Sequence, residues 1–192
     1  MPYDGLEAMA SPARPGGSTL RAAAGGRPRF RRADAAFLLV AAAVIVLDQV
    51  SKHLVRANLS PGESFPEEGL LRITNVSNTG AAFGIFQGQT FFLIAATFVG
   101  LGTIALYYLY PPMEHAAVRL ALGLQLGGAI GNLADRLRAG RVTDFIDFRF
   151  WPAFNVADSS IVIGVSIIVG FFLLLESLSR EKQGRSAPPD PP

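Results

Sequence analysis

The sequence predicts a mainly α membrane protein, a four-transmembrane-helix bundle. Three observations carry this expectation. Half of the 192 residues are hydrophobic and only 17% are charged, a balance that marks membrane proteins. The charges lie mostly outside four apolar runs, near residues 35–55, 90–110, 116–133 and 159–175. One pattern occurs twice, as Asn132-Leu-Ala-Asp135 where the third run ends and as Asn155-Val-Ala-Asp158 where the fourth begins.

Composition removes several function classes. The chain has no cysteine, which excludes disulfides, thiolate metal sites, a cysteine nucleophile and a lipid anchor on its own cysteine. Its two histidines, His53 and His115, belong to no His-Glu-x-x-His helix. Zinc hydrolysis and a histidine-based serine triad are thus poorly supported, and no metal or other cofactor is expected. The net charge of +2 is read as arginines flanking membrane spans, so no nucleic-acid partner is expected. Hydrolytic chemistry, if present, falls to carboxylates.

Residues 1–33 hold six arginines amid Ala, Gly and Pro and read as a disordered cytoplasmic tail. The four-helix transmembrane unit is then 34–179, followed by a polar, proline-rich and disordered cytoplasmic tail at 180–192. The first apolar run begins near residue 35 and ends in Asp-Gln, so it reads as an uncleaved span rather than a signal peptide. Ala35–Leu47 holds 13 uncharged residues, whereas crossing the hydrocarbon core takes about 20. The helix must therefore carry Asp48 and Lys52 into the outer part of the membrane. Lys52 lies one turn from Asp48 on the same face and offsets part of the cost of burying it.

Residues 56–88 form a loop. Leu71-Arg-Ile-Thr74 alternates like a short strand, and Asn78-Thr-Gly80 has turn chemistry. Thr90–Tyr110 is an uncharged second span with Tyr107, Tyr108 and Tyr110 as an interfacial belt. In the third span Gly123, Gly127 and Gly131 recur every fourth residue, a stripe that permits close helix packing. The fourth span is expected from about Ser159 to Leu175.

Four spans place both termini on one side. Ten of the 17 lysines and arginines lie in the two tails and the 111–119 connection, which favours both termini in the cytoplasm. Asp48, Asp135 and Asp158 then share the outer face, the geometry that a paired-carboxylate site requires. Other readings of the same residues exist. Asp158 before two serines suits a helix N-cap, and Asp135 beside Arg136 suits a span-ending charge pair. Asp144 and Asp147 are read as loop-shaping, with nothing to set either opposite another carboxylate. Ser51-Lys52 is a poor serine–lysine pair, because neighbours on a helix diverge by about 100°. A proton-conducting transporter would also carry intramembrane aspartates, but spans 2 and 4 are charge-free.

Five motifs in order, Asp48-Gln-x-Ser-Lys52, Asn78-x-Gly-Ala-Ala-Phe-Gly84, Gly131-Asn-x-x-Asp-Arg136, Val142-x-Asp-Phe-Ile-Asp147 and Phe154-Asn-x-Ala-Asp158, resemble the lipoprotein signal peptidase (signal peptidase II) family over residues 35–178. The resemblance implies an aspartic endopeptidase of the bacterial inner membrane, with its active site toward the extracytoplasmic face and a small extracytoplasmic β element between helices 1 and 2, which fits the 71–74 alternation. It would cut the signal peptide from a prolipoprotein just before the diacylglyceryl-modified cysteine, with that precursor and membrane lipid as partners and no cofactor. Carried over by position, the catalytic pair would be Asp135 and Asp158. Asn132, Arg136 and Asn155 would line the substrate site, with Asp48 and Asn78 supporting it. Two close carboxylates share one proton near neutrality, one serving as base and the other as acid.

Overall fold

The computed structural model describes residues 32–80, 86–111 and 115–186. The proposed N-terminal tail falls outside this set except at its last residues. Residues 81–84 of the second motif and the end of the C-terminal tail also lie outside it. The described chain runs α1 (Arg32–Asn58), β1 (Ser64–Phe65), β2 (Arg72–Asn78), α2 (Thr90–Leu109), α3 (Ala116–Ala139), β3 (Val142–Asp147) and α4 (Val156–Ser186). All four helices are long and apolar enough to cross a membrane.

Helix α3 is the hub and packs against α1, α2 and α4. Half of its apolar window is buried inside the bundle, against 6% for α2 and for α4. The outer helices instead turn Leu39, Phe91, Val99 and Leu173 outward, as a lipid-facing surface requires. The glycine stripe explains how α3 can serve as the hub. A Cβ on Gly127 would stand 2.7 Å from the carbonyl oxygen of Ala41, and one on Gly131 would stand 2.6 Å from the Asp48 carboxylate. Both positions face α1, and a side chain at either would collide with it. Toward the opposite end of the bundle, Phe37, Ile104, Val118 and Leu122 form an apolar core. There Phe37 stacks on Tyr108 with ring centroids 4.5 Å apart, and Arg119 of α3 pairs with Asp34 of α1.

Two helix ends differ from expectation. Helix α3 runs to Ala139 rather than to Leu133 and closes on Gly140, whose φ of 70° suits a left-handed C-cap. Asp135 and Arg136 are therefore helical. Helix α4 starts at Val156 and continues to Ser186, so residues 180–186 are helix rather than disordered tail. The β element also grows. Strand β2 spans Arg72–Asn78 instead of 71–74 and pairs on its far side with β3, giving an antiparallel sheet in the order β1-β2-β3. The third strand comes from the α3–α4 connection, where only loop was expected.

Candidate active site

Within the bundle, the α1–α3 seam holds a buried ionic cluster. Lys52 and Asp48 have no exposed surface. The Lys52 ammonium lies 2.8 Å from Asp48 Oδ2 and 2.9 Å from Asp135 Oδ2, and donates to Asn132 Oδ1 at 2.9 Å. One hydrogen bond to Asn132 and two flanking carboxylates compensate the buried charge, although Asp135 Oδ2 lies against the ammonium without a hydrogen bond of its own. Asp135 is also approached by Arg56 at 3.8 Å and receives a long contact of 3.4 Å from Gln49 Nε2.

At the start of α4 the same four-residue pattern does something else. Asn155 Oδ1 accepts the Asp158 N–H at 2.9 Å, while Asp158 Oδ2 accepts the Asn155 N–H at 3.3 Å. This is a reciprocal capping box that satisfies two orphan donors of the first turn. The cap is Asn155, one turn earlier than the Asp158 cap considered from the sequence. A third donor, the Ala157 N–H, is taken by Asp48 Oδ1 at 3.0 Å, so α1 helps to cap α4 from across the bundle. Asn132 Nδ2 then donates to Asp158 Oδ1 at 2.7 Å, which ties α3 to the same carboxylate.

Strand β3 supplies a carboxylate that the sequence reading set aside. Its register places Asp144 opposite Val76 of β2, and Asp144 is 2% exposed. Asn78 Nδ2 donates to its Oδ2 at 2.9 Å and Asn155 Nδ2 to its Oδ1 at 2.6 Å. The Asn78 amide is itself oriented, because its Oδ1 accepts the Gly80 N–H at 2.8 Å. Burial pushes the Asp144 carboxyl up to about 6, and the charge of Asp158 adds to that rise. Hydrogen bonds from Asn78 and Asn155 and the charge of Lys52 oppose it. The loop-shaping role expected for Asp144 is therefore corrected: it is a buried, doubly hydrogen-bonded strand residue. Asp147 does shape the structure. Burial would raise its carboxyl, but the Arg149 N–H and the Arg72 guanidinium outweigh that and hold it below the usual carboxylate range. It thereby joins β3 to β2 through Arg72.

A cavity of about 1060 Å³ opens where α3, α4 and the sheet meet. Asn78, Asn132, Arg136, Asp144 and Asp158 border it, with Val162 and Trp151 among its apolar walls. Arg136 is held at the rim by its bond to the Gly80 carbonyl at 3.2 Å. Asn155 stands behind the wall, bonded to Asp144, and Asp48 lies deeper, accepting from the Ala157 N–H. Asp135 also lies behind the wall, turned toward Lys52. Of the aspartates expected at the site, the cavity receives Asp158, and the carboxylate beside it is Asp144.

The comparisons with known proteins agree with this architecture. The family model described as signal peptidase (SPase) II matches residues 40–174. The chain is 46% identical over 139 residues to the lipoprotein signal peptidase of Moorella thermoacetica, covering 72% of this chain and 93% of that one. It is 44% identical over 132 residues to the lipoprotein signal peptidase of Halothermothrix orenii, covering 68% of this chain and 90% of that one. Among solved structures, a bacterial membrane enzyme determined by the in meso method at 2.3 Å superposes with a TM-score of 0.70 at 34% identity. That match covers 76% of this chain and 91% of the other. The glycine-packed bundle is thus that of a membrane peptidase that removes signal peptides from prolipoproteins, and the chain belongs to the signal peptidase II family.

Proposed function

We propose that Asp144 and Asp158 are the catalytic pair of an aspartic endopeptidase that cleaves diacylglyceryl-modified prolipoproteins just before the lipidated cysteine. The observation that carries this reading is that both carboxylates border one cavity and accept from Asn155, Asp144 from its side-chain amide and Asp158 from its backbone N–H. Asp135, the pair member expected from the sequence, has its carboxylate committed to Lys52. An aspartate locked to a buried ammonium is a poor base, because its charge is already compensated.

In this mechanism Asp158 is ionised and Asp144 protonated. Asp158 takes a proton from water as the water oxygen attacks the scissile carbonyl carbon. Asp144 donates its proton to the carbonyl oxygen, giving a neutral gem-diol. As the C–N bond breaks, Asp158 returns its proton to the departing nitrogen and Asp144 recovers one from the diol. Water is thereby divided between a new carboxyl and a new amine. Asp144 and Asp158 border the same cavity, and the charge of Asp158 raises the Asp144 carboxyl, which favours a single shared proton. Arg136 at the rim offers donors to a substrate carbonyl, and the apolar wall of α4 suits a lipid-bearing substrate. The positive-inside bias supports termini in the cytoplasm and the cavity at the extracytoplasmic face.

Purified enzyme in lipid should cleave a diacylglyceryl-modified precursor on the N-terminal side of its cysteine and leave the unmodified precursor intact. Activity should persist in excess EDTA, since the carboxylate pair activates water without a metal. Loss with EDTA and recovery with zinc would overturn the mechanism. A reporter that works only outside the cytoplasm should be active when fused near Gly69 or Gly140 and silent at the C-terminus. The opposite pattern would remove the proposed orientation.

A further inference from the structure

We propose that Lys52 is a positioning residue that makes the Asn132 amide a one-way donor to Asp158 throughout the reaction. The inference rests on the Asp144–Asp158 reading above.

An asparagine amide presents an acceptor on one side and donors on the other, and its orientation follows from its neighbours. Asn132 Oδ1 receives the Lys52 ammonium at 2.9 Å and Asn155 Nδ2 at 3.3 Å. An ammonium has donors only, so the oxygen must face it, and Nδ2 is left to point at Asp158 Oδ1, 2.7 Å away. When Asp158 is ionised, its own charge would hold the amide this way round without help. The lysine matters once Asp158 has taken the proton from water. A free amide could then flip and accept from the new O–H, stabilising the protonated state and delaying return of the proton to the leaving nitrogen. Lys52 forbids that flip, because it would bring an NH₂ group against an ammonium that has no exposed surface.

The neighbouring charges make the arrangement rigid. Around Lys52 and Asp158 stand Asp48 and Arg56 on α1, Asp135 and Arg136 on α3, and Asp144 on β3. Asp48 and Asp135 hold the ammonium against Asn132, and this gives Asp135 a purpose outside the cavity. No charged residue of α2 takes part, since Thr90–Leu109 carries none.

The test removes the ammonium without orphaning its partners. The variant combines Lys52→Met with Asp48→Asn and Asp135→Asn, and the amide that replaces the Asp48 carboxylate still offers an oxygen to the Ala157 N–H. The wild type, this triple variant, Asn132→Leu, the quadruple variant and Asp158→Asn are assayed with lipidated precursor across pH. The triple variant should lose at least tenfold in kcat, with KM within about twofold of wild type. The acid limb of its kcat profile should move up by about one pH unit. On the Asn132→Leu background the same three changes should add no further shift, because residues acting through one another are non-additive. A triple variant with the wild-type kcat and profile would overturn the proposal, as would a full shift persisting without Asn132. If the triple variant fails to insert, Asn132→Leu alone decides: its kcat and acid limb must change as described, and wild-type behaviour refutes the role. Asp158→Asn separates the two readings, since activity in that variant sinks the catalytic pair itself.

Discussion

The four residues Asn-x-x-Asp occur twice at this end of the bundle, and the fold puts the two copies to different uses. In the first copy Asn132 and Asp135 lie inside α3, one turn apart on a continuous helix. Their backbone groups already have helical partners, so both side chains are free to serve another helix, and they meet Lys52 of α1. The second copy sits at a helix start, where the first N–H groups lack partners. Asn155 and Asp158 spend part of their capacity on those groups, which fixes the Asp158 carboxylate at the end of the helix beside the cavity. The same spacing thus gives a buried counter-ion in one place and a cavity carboxylate in the other. Position along the helix, not the motif, decides which.

The largest expected effect breaks that distinction if it fails. Asp158→Asn and Asp144→Asn should each lower cleavage by roughly 10³-fold or more, with the double variant little worse, because the pair acts as a unit. Asp135→Asn should cost no more than about tenfold, since the amide oxygen can still face the Lys52 ammonium. Precursor cleavage by correctly inserted variants measures this. An Asp135→Asn enzyme as inactive as Asp158→Asn would return Asp135 to the catalytic pair.

Stability should show the reverse order. Lys52→Met leaves Asp48 and Asp135 buried without their cation, and breaking a buried ion pair costs about 3–5 kcal/mol. Asp158→Asn keeps an oxygen for only one of the two donors that Asp158 accepts, Asn132 Nδ2 and the Asn155 N–H, and should cost less, about 1–2 kcal/mol. Thermal unfolding in detergent measures both. A Lys52→Met protein as stable as Asp158→Asn would mean that the α3 copy is not the structural one.

This contrast also marks what could be read from the sequence. The four spans were legible because a membrane helix declares itself in one continuous stretch, and the need to bury Asp48 with Lys52 followed from helix length alone. The glycine stripe pointed correctly to close packing. The place of Asp144 beside the cavity was not legible. Strand β3 is buried on both faces except at Ile146, so it lacks the alternation that identifies a half-exposed strand. Its partner β2 lies across the whole of α2 and α3 in the chain. The signal that could have found it is the Val-x-Asp-Phe-Ile-Asp motif, which had no local function while its segment was taken for a loop. The repeated Asn-x-x-Asp pattern pointed to Asp135 as the partner of Asp158, a place that the proposal gives to Asp144.

A third prediction sharpens the difference between Asp144 and a surface carboxylate. Its group titrates at about 6 in the fold, against 3.8 without its surroundings. Where the folded value is the higher, the native state binds more protons than the unfolded one, so stability falls as pH rises from about 4 to about 6. Asp144→Asn lacks this titration. The stability of the variant relative to wild type should therefore improve across that window and level off above it, by at most about 3 kcal/mol. Unfolding midpoints of both proteins at about pH 4, 5, 6 and 7 measure the difference. A constant gap between them would mean that Asp144 is not desolvated as described.

The smallest effect is the most direct test of the two helical contexts. Replacing Asn132 or Asn155 with either Ala or Gly removes the same side chain, so the lost hydrogen bonds cancel when the Ala and Gly variants of one position are compared. What remains is the backbone preference of the site. At an N-cap, glycine is tolerated and alanine is poor, the difference being about 0.5–1 kcal/mol. Inside a helix the order reverses, with glycine about 1 kcal/mol worse than alanine. Asn155→Gly should therefore be more stable than Asn155→Ala, while Asn132→Ala should be more stable than Asn132→Gly. Four unfolding midpoints at one pH suffice. The same order at both positions would show that the two asparagines do not occupy different helical environments, and the explanation of why one aspartate reaches the cavity and the other does not would fall with it.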